Sequence, residues 1–104
     1  MEQNNSIQEM QMIEQNLQNI LMQKQAFQME FSETQSSLKE IKEAKDDVFK
    51  IVGQLMIKTE KDKITEELIS KEKIIDLRIK SLEKQEENFS EQLTNLRDKF
   101  LKKN

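Results

Sequence analysis

Cysteine, proline, histidine, tryptophan and tyrosine are all missing from this chain of 104 residues, and glycine occurs once. Without cysteine there is no disulfide framework, no thiolate metal site and no thiol nucleophile. Without histidine the commonest general base and the commonest metal ligand are gone. A single glycine builds neither a Walker loop nor a dinucleotide-binding turn. Carboxylates are plentiful, but they lie along helical sequence as solvated charges rather than as a pair in a pocket. The composition therefore argues against an enzyme and offers no residue set for a cofactor, a nucleotide or a metal. No apolar run reaches the roughly 18 residues of a membrane span. The opening Met1-Glu2-Gln3-Asn4-Asn5 is polar and faintly acidic, unlike a signal peptide. The expected compartment is the cytoplasm.

Aromatic residues make up 5% of the chain and hydrophobic residues 35%, against 36% charged. A compact core at this length needs more apolar volume. With so little loop punctuation, and with Glu, Lys, Gln, Leu and Ile abundant, the composition predicts long helices. Charge is unevenly placed. Residues 1–37 hold five acids and only Lys24, whereas residues 38–104 mix sixteen Lys or Arg with fifteen acids. That mixture is a salt-bridge pattern, not the clustered positive field with stacking aromatics that nucleic acid requires.

Two heptad seams organise the chain. Over residues 6–46 the seam reads Met10, Ile13, Leu17, Ile20, Lys24, Phe27, Phe31, Thr34, Leu38 and Ile41. Over residues 60–104 it reads Leu68, Glu72, Ile75, Ile79, Leu82, Glu86, Phe89, Leu93, Leu96 and Phe100. Alternating spacings of three and four keep one stripe against a partner helix. Ser6 with Glu9, and Thr59 with Asp62, fit helix-start signals. Glu67 with Lys71 and Asp76 with Lys80 stand in the favourable i, i+4 order.

The stretch Val48 to Thr59 between the seams is of another kind. It is dense in β-branched and apolar residues and holds the only glycine. Gly53-Gln54 flanked by such runs predicts strands 48–52 and 55–59 joined by a two-residue type II′ turn. The alternative, one unbroken helical rod of about 150 Å at 1.5 Å per residue, is disfavoured because the heptad does not run through this stretch. A reversal centred on Gly53 sets Met10 near Leu96, Ile13 near Leu93, Leu17 near Phe89, Phe27 near Ile79, Phe31 near Ile75 and Leu38 near Leu68. The polar exceptions also converge, Thr34 with Glu72 and Lys24 within a turn of Glu86. Such layers cost stability but fix register. The expected fold is mainly α, an antiparallel two-helix coiled coil about 60 Å long with a central β-hairpin. It is read as one domain over 1–104, with helices at about 6–46 and 60–103.

The predicted ribbon is apolar on both faces. Val48, Val52, Leu55 and Ile57 share one face with Lys50, and Phe49, Ile51 and Met56 share the other with Lys58. Leaving seven such side chains in water forgoes on the order of 10–20 kcal/mol, at ~1.5–3 kcal/mol each. A lone ribbon is marginal and its edges are open pairing templates. The expectation is therefore that Val48, Phe49, Ile51, Val52, Gly53, Leu55, Met56 and Ile57 assemble with related ribbons into a larger sheet or barrel. A loop folded onto its own helices is the plainer alternative. Near the chain ends, Ile7, Met10, Met12 and Ile13 fall beside Leu93, Leu96, Phe100 and Leu101. Met1, Met10, Met12, Met22 and Met29 crowd the N-terminal segment. Methionine in a coiled coil is usually core filler, but a flexible cluster at a frayed end suits promiscuous apolar contact. These eight residues are the expected site for gripping unfolded chains.

The segment Val48-Phe49-Lys50-Ile51-Val52-Gly53-Gln54-Leu55-Met56-Ile57-Lys58 resembles the hairpin motif of the β-class prefoldin subunits. The likeness is close to the archaeal type and looser to the eukaryotic subunits, and the Gln23-Lys24-Gln25 triplet adds to it. The resemblance covers essentially the whole chain. It implies a heterohexamer of two α and four β subunits, whose hairpins form a multi-subunit β-barrel platform bearing six coiled coils. It further implies an ATP-independent holdase that captures unfolded proteins at the coiled-coil tips and delivers them to a group II chaperonin. The first helix departs from the family pattern in being rich in Gln and Met and poor in charge. The competing reading is a structural scaffold or adaptor of a prefoldin-like assembly that holds no clients.

Overall fold

The computed structural model describes residues 2–102, with side chains from Asn5 onward. Met1, counted in the methionine cluster, and Lys103, the expected last residue of the second helix, lie outside the described residues. Four elements follow one another: α1 (Glu2–Glu43), β1 (Val48–Val52), β2 (Leu55–Thr59) and α2 (Lys61–Lys102). Two long helices and an antiparallel hairpin are the architecture that the two periodicities predict.

The helix ends correct the sequence reading. α1 begins at Glu2, so Ser6 is an interior helical residue and not a cap. No Pro or Gly interrupts residues 2–6, and an acid at a helix start is favourable. α1 stops at Glu43, short of residue 46. Asp46 and Asp47 just beyond would oppose the negative end of the helix dipole. Ala44 N–H donates to the Ile41 carbonyl at 3.2 Å, a tightened last turn. Lys61 then supplies what glycine often does elsewhere. Its Nζ donates to the carbonyls of Lys42 at 3.3 Å and Ala44 at 3.1 Å. Thr59 is likewise not a cap. It ends β2 and its hydroxyl donates back to the Ile57 carbonyl at 3.2 Å. The carbonyl of Glu60 instead accepts the first helical bond, from Ile64 N–H at 3.1 Å.

The hairpin register pairs Val48 with Thr59 and steps inward to Val52 with Leu55. The reversal thus falls between Gly53 and Gln54, half a residue from the expected centre. Gly53 has φ 63°, and among the described residues no other has positive φ. A type I′ turn needs positive φ at both central residues, so the turn is type II′. Space does not require glycine here, since an added Cβ meets nothing within 4 Å. The backbone angle does.

Internal packing divides the chain into a hairpin unit, residues 27–78, and a terminal unit, residues up to 26 with those from 79. In both, every seam position is buried or half-buried. In the hairpin unit the core is Leu38, Ile64 and Ile75, with Thr34 buried beside them. Thr34 needs no partner across the seam, because its hydroxyl donates to the Glu30 carbonyl at 2.8 Å. Glu30 pairs with Lys71 at 3.5 Å, and the Arg78 guanidinium lies 5.9 Å from the Phe27 ring centroid. Ile64 was missed as a core position. Strict heptad spacing extends the seam back from Leu68 to Lys61 and Thr65. Burial instead steps back by four to Ile64, following the 3.6-residue period of a straight helix.

In the terminal unit the core is Ile13, Ile20, Leu82 and Leu93. Lys24 lies within this seam with its side chain 17% exposed, and its Nζ is 3.3 Å from Glu86 and 3.7 Å from Glu83. Arg97 reaches Glu14 at 3.4 Å.

Candidate functional site

Two groups of side chains are candidates, one in each unit. The first is the hairpin. β-branched and aromatic residues favour extended backbone, and the tight turn pairs them so that opposite residues share a face. Neither face is covered. Phe49, Ile51, Val52, Leu55, Met56 and Ile57 are all exposed, Gly53 sits at the exposed turn, and Val48 alone is half-buried. The ribbon is therefore not folded onto its own helices. The sheet has two strands, so each leaves one backbone edge free for pairing. Polar contacts tie the ribbon to its surroundings. Lys50 Nζ lies 3.0 Å from Glu67 Oε2, and Lys58 Nζ lies 3.4 Å from Asp47 Oδ2. Glu67 and Lys71, expected to face each other along α2, thus reach partners on other elements.

The second group lies in the terminal unit. Met12 is 65% exposed and Leu101 69% exposed, and Ile7 is also exposed. Met10, Leu96 and Phe100 are half-buried. Ile13 and Leu93 are buried in the seam and present no surface while the helices stay paired. The structure brings part of this set together. Met12, Ile13 and Leu96 line one open groove of about 470 Å³ with Phe89. Sequence reasoning missed the polar side of that groove, formed by Asn16, Gln92 and Asn95 with Glu9. These positions flank the seam, and only their uncharged character set them apart. Apolar exposure is not confined to the two groups. Leu21, Met22 and Met29 on α1, and Ile69, Ile74 and Leu77 on α2, are exposed as well. Among the described residues no helix is long and apolar enough to cross a membrane.

A family model described as "Prefoldin subunit" matches residues 4–104. The chain is 41% identical over 85 residues to the prefoldin subunit beta of Thermococcus kodakarensis, covering 80% of this chain and 73% of that one. It is 35% identical over 89 residues to the prefoldin subunit beta of Pyrococcus furiosus, covering 84% and 76%. Among solved structures, the prefoldin beta subunit from Thermococcus strain KS-1 superposes with a TM-score of 0.89 at 33% identity, over 95% of this chain and 89% of that one. The prefoldin beta2 subunit from the same strain gives 0.73 at 18% identity, over 91% and 99%, a likeness of fold alone.

Proposed function

Because this chain belongs to the prefoldin subunit family, and to its β class, we propose that it is one subunit of an ATP-independent holdase chaperone in the cytoplasm. Its hairpin joins those of other prefoldin subunits, two α and four β in all, in a shared β-barrel platform. The terminal unit holds unfolded proteins and passes them to a group II chaperonin. The observation that carries this reading is the two-faced exposure of the hairpin beside helices whose seams are covered. Apolar surface on both faces and two free edges call for several neighbours, not one. Holding falls to the terminal unit, where Ile7, Met12 and Leu101 are already exposed. Fraying of the last turns adds Met10, Ile13, Leu93, Leu96 and Phe100. Each contact is weak, so several subunits act together and linkage raises avidity without new contacts.

The test is a truncation. Removing residues 1–13 and 97–104 leaves the hairpin and most seam layers in place. The truncated chain, assembled with its partner subunits and checked by chromatography, is expected to lose suppression of light scattering by a diluted denatured protein. Equal protection by the truncated and full complexes places holding elsewhere. No protection by the full complex supports a scaffold instead.

A further inference from the structure

The grooves along the helices differ in their rims. In the hairpin unit, the groove at Phe27 and Ile74 is ringed by Glu30, Lys63, Glu66, Glu67, Lys71 and Arg78. In the terminal unit, the groove at Leu17 and Leu21 is edged by Glu83, Glu86 and Glu87. The groove at Met12 has an apolar floor of Met12, Ile13, Phe89 and Leu96. Its polar groups are the carboxamides of Asn16, Gln92 and Asn95, with Glu9 as the one charge among its lining residues.

A carboxamide is the side-chain group closest to the peptide bond. It donates and accepts together and has no charge to desolvate. Folded proteins pair nearly all of their buried backbone N–H and C=O groups, so unpaired ones beside apolar side chains are far more abundant in a non-native chain. The groove is about 470 Å³ and is lined by residues 9–16 of α1, a length of about 10 Å at 1.5 Å per residue. That length matches about three extended residues at roughly 3.3 Å each. A helical occupant keeps its backbone groups to itself and gives the three amides nothing to bond. An anionic segment gains nothing from this rim, and a cationic one finds only the single carboxylate of Glu9.

We propose that this groove binds short, extended, uncharged segments of non-native chains, with Asn16, Gln92 and Asn95 hydrogen-bonding the client backbone while Met12, Phe89 and Leu96 take its apolar side chains. The proposal rests on client holding by the terminal unit and adds what is recognised there. Because each amide serves donors and acceptors alike, binding is tolerant of sequence and of strand direction. Selectivity for unfolded over folded protein then comes from backbone availability as well as apolarity.

The probes are a labelled peptide of alternating Val and Ser, and its depsipeptide counterpart in which alternate amides are esters. The ester removes N–H donors and weakens carbonyl acceptors while keeping the side chains. Fluorescence anisotropy on the assembled complex is expected to show the amide probe binding about fivefold or more tightly, the scale of one or two net hydrogen bonds. The Asn16→Ala/Gln92→Ala/Asn95→Ala variant is expected to bind both probes as weakly as the wild type binds the ester. Asn16 is half-buried and the other two are exposed, so its circular dichroism should match the wild type. Equal binding of both probes by the wild type overturns the proposal, as does binding of neither. A variant that changes self-association but not probe binding makes the occupant a second copy and overturns it too. Client holding itself is judged separately, by the truncation and light scattering. Loss of scattering protection on truncation, together with equal probe binding, sinks the backbone contact alone.

Discussion

Ile75 and Ile51 are the same side chain in the same chain, yet Ile75 is 3% exposed and Ile51 71% exposed. Ile75 lies on the α2 seam, where heptad spacing gives it a partner stripe on α1. Ile51 lies on a ribbon with no layer beneath it. The helical seams therefore meet their apolar demand within one chain, and the hairpin does not. Apolar content alone says nothing about which kind of contact a residue serves. The period in which it is written does, because a 3.5-residue stripe finds its complement on the returning helix, while a two-faced strand needs layers that a single chain of this length does not hold.

The sharpest way to break that comparison is a matched pair of substitutions in the isolated chain. Ile75→Ala is expected to cost about 2–5 kcal/mol, the usual range for emptying a buried aliphatic site. Ile51→Ala is expected to stay within about 0.5 kcal/mol, as for an exposed position. Urea unfolding followed by circular dichroism measures both, and similar losses at the two sites contradict the division. A smaller effect is expected at the seam's polar layer. Lys24→Leu combined with Glu86→Leu removes both members of the covered pair and is expected to stabilise the helices by about 1 kcal/mol, since apolar replacement of a whole buried ion pair is often favourable. The accompanying loss should be register specificity, seen as broadened spin-label distances between the helices of the terminal unit. On the hairpin side, Gly53→Ala is expected to cost up to about 1 kcal/mol through the positive φ alone. The open space around an added Cβ means no steric term joins it. Amide exchange in β1 and β2 should rise while exchange in the seams does not.

The strands, their turn type and the seam positions were legible in the sequence because each rests on short-range rules. A β-branched run about a glycine and a three-four alternation suffice for them. The helix ends were not legible. α1 is terminated by Lys61, which is eighteen residues beyond Glu43 in sequence and meets it only once the chain has turned back. Ile64 was hidden because the seam leaves strict heptad spacing there. At the candidate site, the heptad phase already separated Ile13 and Leu93, on the seam and buried, from Met12 and Leu101, off the seam and exposed. The amides Asn16, Gln92 and Asn95 carry no apolar signal and draw their meaning from the groove that they share.

The claim at the centre of this account is that the hairpin's apolar faces serve contacts between chains. Ile51→Asp combined with Leu55→Asp places one charge on each face, at sites that are in water in the single chain. In a shared sheet each charge is buried without a partner, at a cost of several kcal/mol. Sedimentation velocity of the double variant, mixed with the partner subunits, is the direct measurement. The expected result is a fall from the full complex to smaller species with helix content retained by circular dichroism. A double variant that still sediments as the full complex contradicts the claim.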